Sequence, residues 1–232
     1  MLSWLFQHEH EYRQWSAAIS LGLISSFLHV TDRKQKVEYI NALLEVLSVS
    51  KSTLVKGACG VGLGFSCQDL LTKSDGEDNF HLSKGALRME EIDLLKKIIG
   101  SLSKLICPLT QSSDVLINAF SWRRLGSDDF DSNITPKFLG QCSDDFEEDV
   151  WGVAGLILGL GSSVGAICRA GFYDAVLNLE TLLFSWIPNL NPSIPFLTTS
   201  AKSELLFSVG ACLAAPIVMA GFLSQSRTDG WY

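Results

Sequence analysis

The feature that most constrains this chain is glycine placed inside long helical stretches that are almost free of charge. Residues 150–168 contain no charged side chain. They contain five glycines, at Gly152, Gly155, Gly159, Gly161 and Gly165. An interior glycine costs a helix about 1 kcal/mol relative to alanine, so contacts that only glycine permits must offset that cost. Because small residues let two helix backbones approach closely, the stretch predicts tight helix–helix packing, either in water or in lipid.

The same pattern recurs elsewhere in the chain. Trp15–Ser26 aligns with Trp151–Ser163 when one residue is inserted, and the alignment matches a Trp, an Ala, a Gly-Leu pair and a Ser-Ser pair. Residues 56–64 and 208–212 vary the same theme. In the first half, helix pairs begin about 39 residues apart, close to the period of HEAT and armadillo units. One such unit cannot bury its apolar face alone, so the repetition predicts stacked units.

Apolar residues at helical spacing dominate the chain, and alternating strand patterns are nearly absent. In the first predicted helix, Trp15, Ile19, Leu23 and Phe27 recur every four residues and predict one apolar side. A polar break is predicted over residues 73–83. The predicted helices span about residues 11–29, 33–47, 52–70, 89–106, 113–125, 146–168, 173–186 and 203–223.

These patterns together predict an all-α fold, specifically an α-solenoid of stacked helical hairpins of the armadillo/HEAT kind. We expect one continuous domain with three parts. Residues 1–126 carry helical repeats, residues 127–149 form an acidic loop, and residues 150–232 carry further repeats that include two glycine-rich apolar helices.

Negative charge is concentrated between Ser127 and Asp149, where there are eight acidic residues and one basic residue, Lys137. The net charge of this segment is therefore −7, which equals the net charge of the whole chain. Two near-duplicate motifs, Ser127–Asp131 and Ser143–Glu148, each place one Phe among acids. An aromatic anchor in a negative field suits a partner groove with a basic rim. The alternative is a solvated loop whose Phe packs back onto its own helices. The candidate docking residues are Asp128, Asp129, Phe130, Asp131, Asp144, Asp145, Phe146, Glu147 and Glu148.

The sequence contains no recognisable catalytic, nucleotide or metal site. Residues 57–64 look like a nucleotide-binding glycine loop but lack its Gly-Lys-Ser/Thr ending, so a tightly packed helix is predicted there. Residues 129–140 begin like a calcium loop but place Ile134 where glycine is needed. The six cysteines form no C-x-x-C pair, and no basic face could follow a phosphate backbone. We therefore expect no enzyme activity, no cofactor, no metal and no direct binding of nucleic acid.

Two stretches, residues 150–168 and 205–223, are each 19 residues long without a charge, which is near the length that a bilayer core demands. The first has five glycines, the second contains Pro216, and the flanks show no positive-inside bias. Helices buried on all sides in a solenoid have the same hydropathy. A cytoplasmic protein is therefore the leading interpretation, and a multi-pass membrane protein with these two spans is the alternative.

The runs Lys56–Leu71 and Trp151–Ser163 resemble the plant Resurrection-type members of the focadhesin family. The resemblance implies a very long armadillo/HEAT-like scaffold without a catalytic site. It also implies protein partners in the RNA-decay machinery and a link in plants to cuticular wax formation, embryo development and cytoplasmic RNA-exosome-dependent decay. On this interpretation the chain is a segment of a longer solenoid that binds proteins and catalyses nothing.

Overall fold

The computed structural model describes residues 1–28, 32–72, 81–106, 146–187 and 201–228, and within these ranges the chain forms helices and turns with no strand. The all-α prediction is therefore confirmed. The helices are α1 (Leu2–Leu5), α2 (Glu11–Phe27), α3 (Arg33–Val49), α4 (Thr53–Ser66), α5 (His81–Ile106), α6 (Phe146–Ser162), α7 (Val164–Ala170), α8 (Tyr173–Ser185) and α9 (Ala201–Thr228).

Helices α2, α4, α6 and α9 lie side by side in chain order and form what we call the row. At the start of α4, the Ser52 hydroxyl donates a hydrogen bond to the carboxylate of Glu11, which begins α2. Near the other end of α4, Gly62 lies against Gly22 of α2. Because the two starts meet and the two later turns meet, α2 and α4 run parallel.

The contacts between the other row helices have the same order. Gly57 of α4 lies against Gly152 of α6, and Gly64 lies against Gly159. Between α6 and α9, Ala154 lies against Gly210, and Gly161, further along α6, lies against Ala214, further along α9. The row is therefore four parallel helices.

Helices α3 and α5 form a second layer against the row. Arg33 at the start of α3 binds Glu90 of α5 at 3.0 Å, so these ends of the two helices lie together. Further along, Lys97 of α5 donates to the Asn41 amide oxygen of α3 at 3.1 Å, so α3 and α5 run parallel. Lys36 near the start of α3 pairs with Asp69, just beyond the end of α4, so α3 is antiparallel to the row. Helix α8 packs against α7 and α9.

Glycine lies on two opposite sides of α4. Gly62 faces α2, where a methyl group built on it would lie 2.5 Å from the carbonyl oxygen of Ala18. Gly64 faces α6, where a methyl group would lie 2.6 Å from the Cα of Gly159. Any side chain at these positions would push the backbones apart, so the close contacts explain why the helix tolerates the propensity cost of glycine.

The first helix does not bury the apolar side that the sequence predicts, so that prediction is wrong. Trp15 and Leu23 are exposed, and Phe27 is 86% exposed. The helix instead buries a side composed mainly of small residues, Gln14, Ala17, Ala18, Leu21, Gly22 and Ser25. The reason is that α2 approaches α4 backbone to backbone, which leaves no room for large side chains between them.

Several predicted boundaries also change. The polar break over 73–83 is too long, because α5 already begins at His81. The predicted acidic loop over 127–149 and the predicted helix over 146–168 overlap, and the predicted start of the helix is confirmed, because α6 begins at Phe146. That start places acidic residues in the first turn of α6, where their negative charge interacts favourably with the helix dipole and stabilises the helix. The helix predicted over 146–168 is divided at Ser163, whose hydroxyl donates to the carbonyl of Leu160 at 2.6 Å and so competes with the helical bonds.

The second layer follows the sequence pattern closely. In α5, the predicted face of Ile92, Leu95, Ile99 and Leu102 is buried. In α3, Ile40, Leu44 and Leu47 are buried. The predicted helix over residues 113–125 lies outside the described residues.

Candidate functional site

An apolar groove of about 590 Å³ crosses the exposed side of the row. All four row helices contribute to it, and none of its lining residues carries a charge. The lining residues are Tyr12, Trp15, Ile19, Leu54, Gly57, Ala58, Val61, Trp151, Ala154, Gly155, Leu158 and Leu213.

Aromatic side chains form the walls of the groove. Tyr12 is 72% exposed, Trp151 is 59% exposed and Trp15 is 38% exposed. These side chains lie above the row because α2 and α6 approach α4 too closely to admit a large side chain between them. Trp15 and Trp151 occupy matching positions in the internal repeat of the sequence. The groove is thus flanked by equivalent residues of the two helices on either side of α4.

The floor of the groove is made of small residues of the two central helices. Gly57 and Ala58 of α4 lie beside Ala154 and Gly155 of α6. A floor without long side chains gives a bound group direct access to the helix surfaces. Such a groove can bind an apolar or aromatic surface.

A second candidate is the polar cluster at the end of α4. Arg169 of α7 donates to three backbone carbonyls of the turn, at 3.2 Å to Cys67, 2.7 Å to Gln68 and 2.8 Å to Leu70. The carboxylate of Glu91 accepts the backbone N–H of Leu71 at 2.9 Å. Leu71 has a φ of 61°, which is unfavourable for a branched side chain, and the bond to Glu91 holds the turn in that shape.

Burial has a marked effect on the titratable groups of this polar cluster. It lowers the pKa of Lys36 to about 8, and nearby Arg169 acts in the same direction. The neighbouring Cys67 and Glu91 oppose that shift and are outweighed. Burial also raises the pKa of the Cys67 thiol to about 12, so this cysteine is a protonated, unreactive group near neutral pH.

The cluster acts as a structural joint. Lys36 forms an ion pair with Asp69, and the guanidinium of Arg169 is bonded to the turn. A perturbed lysine can mark a catalytic site, but here the ammonium already has an acidic partner. The cluster attaches the end of α4 to α3, α5 and α7, and we do not assign it a reaction.

Most of the predicted docking residues, Asp128 to Asp145, lie outside the described residues. Phe146, Glu147 and Glu148 form the first turn of α6. That turn comes directly before Trp151, so the end of the predicted acidic segment adjoins the groove. Sequence reasoning missed Tyr12, Trp15 and Trp151 as binding residues, although an aromatic residue in the first turns of two matching apolar helices was a usable signal.

Among the described residues, no group of three or more His, Cys, Asp or Glu side chains is placed to hold a metal ion.

One helical segment of the described chain has the properties of a membrane span. Val150–Ala170, which is 21 residues long, has the length and composition to cross a membrane, and 78% of its most apolar window is buried inside the protein. A second apolar helical segment, Leu205–Gly221, lies in the described part of α9.

Comparison of the chain with family models, curated proteins and solved structures gives no match.

Proposed function

We propose that this chain is a non-catalytic scaffold whose groove binds an apolar segment of a protein partner. The observation that carries the proposal is the uncharged groove across four parallel helices, with Tyr12 and Trp151 exposed on its walls. Isolated exposed apolar residues are common, but a contiguous apolar groove with aromatic walls is typical of a binding surface.

The arrangement of the helices supports the proposed α-solenoid. A parallel row alternates along the chain with helices of a second layer: α3 follows α2, and α5 follows α4. In a solenoid each repeat contributes one helix to each layer, and equivalent helices of successive repeats are parallel. Such proteins use the exposed side of one layer to bind partners, and the groove lies on that kind of surface.

Selection of short peptides displayed on phage tests the groove directly. We expect peptides selected on the wild-type chain to contain aromatic or large aliphatic residues. They should bind Trp151→Glu at least about tenfold more weakly, because a charge replaces a central aromatic contact. Trp4→Glu is the matched control, since Trp4 is exposed on α1 and does not line the groove. Equal binding to the wild type and Trp151→Glu contradicts the proposal.

The pathway is proposed on the resemblance alone. If the chain belongs to a scaffold of cytoplasmic RNA decay, it co-purifies with subunits of the RNA exosome, and the Trp151→Glu change or removal of residues 127–145 weakens that association. If both variants retain the exosome subunits, neither the groove nor residues 127–145 form the contact. If the wild type does not co-purify with these subunits, the proposed pathway is contradicted.

A membrane protein is the alternative function, favoured by the length and composition of Val150–Ala170. Washing isolated membranes with alkaline carbonate distinguishes the two functions. The scaffold proposal expects the full chain in the wash, because α6 contacts α4 and α9 along opposite sides. A chain that stays in the membrane pellet contradicts the scaffold proposal.

A further inference from the structure

The two ends of the row present exposed helix faces. Helix α2 contacts α4 through Ala18 and Gly22, and helix α9 contacts α6 through Gly210 and Ala214. On each helix the side opposite these contacts points away from the row. These two outward sides are here named the α2 end face and the α9 end face.

The α9 end face is apolar from Leu205 to Leu223. Leu205, Cys212, Pro216 and Met219 lie opposite the contacts with α6 and are all exposed. No residue from 205 to 223 is charged. A helix on the surface of a soluble domain ordinarily presents polar residues on its outward side, so this face is suited to burial against another helix.

The α2 end face is polar in its first half and apolar in its second. Arg13, Ser16 and Ser20 occupy the first half, and Leu23, Ile24 and Phe27 occupy the second. The last three are all exposed, Phe27 most of all. Large side chains displaced from the α4 contact are therefore concentrated on the outward side of α2.

The apolar parts of the two end faces lie at the same height along the row. Gly22 is level with Gly62 of α4, and the neighbouring α4 residues Gly60 and Gly64 are level with Gly159 of α6. Gly161, two residues on, is level with Ala214 of α9. Because the row helices are parallel and rise equally per residue, the α2 segment 23–27 lies at the height of residues 213–217 of α9.

We propose that two copies of this chain associate head to tail, with the α2 end face of one copy packed against the α9 end face of the other. In this arrangement α2 of the second copy runs parallel to α9 of the first and continues the row. Phe27 is then buried near Pro216 and Met219, and Ser20 lies near Cys212, where small residues permit close approach. The contact uses two different faces, so it leaves one of each open and allows longer assemblies.

Sedimentation velocity of the full chain over a range of concentrations tests this assembly. We expect dimers and larger species of the wild type to increase with concentration. Met219→Glu blocks the α9 end face and Phe27→Glu blocks the α2 end face, so each variant alone should weaken association at least about tenfold. Met89→Glu is the matched control, because Met89 is exposed on α5 away from both ends of the row and should leave association unchanged.

Mixing the two blocked variants gives the decisive result. Each retains the face that the other has lost, so an equimolar mixture should form dimers but nothing larger. Wild-type chain that remains monomeric at every concentration overturns the proposal. Association that survives both substitutions overturns it too, as does a mixture that stays monomeric although each variant has the helical circular dichroism of the wild type.

Discussion

A methyl group built on Gly57 of α4 would lie 2.7 Å from the Cα of Gly152 of α6. The relationship is reciprocal, since a methyl group on Gly152 would lie 2.6 Å from the carbonyl oxygen of Thr53 on α4. Both distances are to backbone atoms, which cannot rotate out of the way as a side chain can. The separation of these two helices is therefore set by the absence of Cβ atoms, and it also determines where the aromatic residues of the groove must lie.

Lys36 makes stability depend on pH in a predictable direction. Its pKa is about 8 in the folded chain and 10.5 in its ordinary state, so between these values the unfolded chain binds a proton that the folded chain does not. The stability that this shift contributes is therefore fully present above pH 10.5 and is lost as pH falls through 8. Relative to Lys36→Met, the free energy of unfolding of the wild type should rise between pH 8 and 10.5, by up to about 3 kcal/mol.

Urea unfolding of both proteins across that range measures the difference. Cys67, Glu91 and Arg169 are present in both, so their own titration largely cancels in the comparison. A difference that stays constant with pH would show that the ammonium of Lys36 is not penalised by burial.

Arg169 should contribute strongly to the joint at the end of α4. Replacement by Gln removes a charged donor from the carbonyls of Cys67, Gln68 and Leu70, and we expect a loss of about 2 kcal/mol in the free energy of unfolding. Arg13→Gln is the matched control, since Arg13 makes one exposed hydrogen bond of 3.4 Å, and it should change stability by less than about 0.5 kcal/mol. Hydrogen exchange should locate the loss at residues 67–72, and equal effects of the two changes would argue against a joint there.

Trp186 is fully buried beside Phe207, with ring centroids 4.6 Å apart. Its indole N–H has no hydrogen-bond partner among the described residues, a condition that costs about 1–3 kcal/mol. Trp186→Phe removes that group but leaves a small cavity, so we expect a net change within about 1 kcal/mol, whereas Trp186→Ala should cost about 3–5 kcal/mol. Thermal unfolding checks both changes. If the Phe variant loses as much as the Ala variant, the indole N–H makes a bond that the structure does not describe.

The sequence predicted helices well where large apolar residues face a core. Ile92, Leu95 and Ile99 recur at helical spacing and are buried as expected. The same rule failed for α2, because Leu23 and Phe27 are larger and more apolar than Ala18 and Gly22 yet point outward. Hydrophobicity measures the gain from burial, but it does not measure how closely two backbones can approach. Where helices meet through glycine, small size rather than apolar character decides which side is buried.

The candidate groove could be predicted only in part. The match between Trp15 and Trp151 was visible in the sequence, and it placed two aromatic residues at equivalent positions. It could not show that α2 and α6 flank α4, since that order depends on contacts between residues as far apart in the sequence as Gly57 and Gly152. The joint at Arg169 was equally hidden, because its partners are backbone carbonyls, which leave no sequence pattern.

The most direct test of the account is the stability of Gly57→Ala compared with that of Gly100→Ala. A methyl group on Gly57 meets the backbone of α6, whereas one on Gly100, exposed in α5, has no atom within 4 Å. Urea unfolding should show that Gly57→Ala loses about 1–3 kcal/mol through overpacking, while Gly100→Ala gains about 0.5–1 kcal/mol from helix propensity. Equal gains at both positions would mean that α4 and α6 are not in backbone contact, and the proposed row of glycine-packed helices would be wrong.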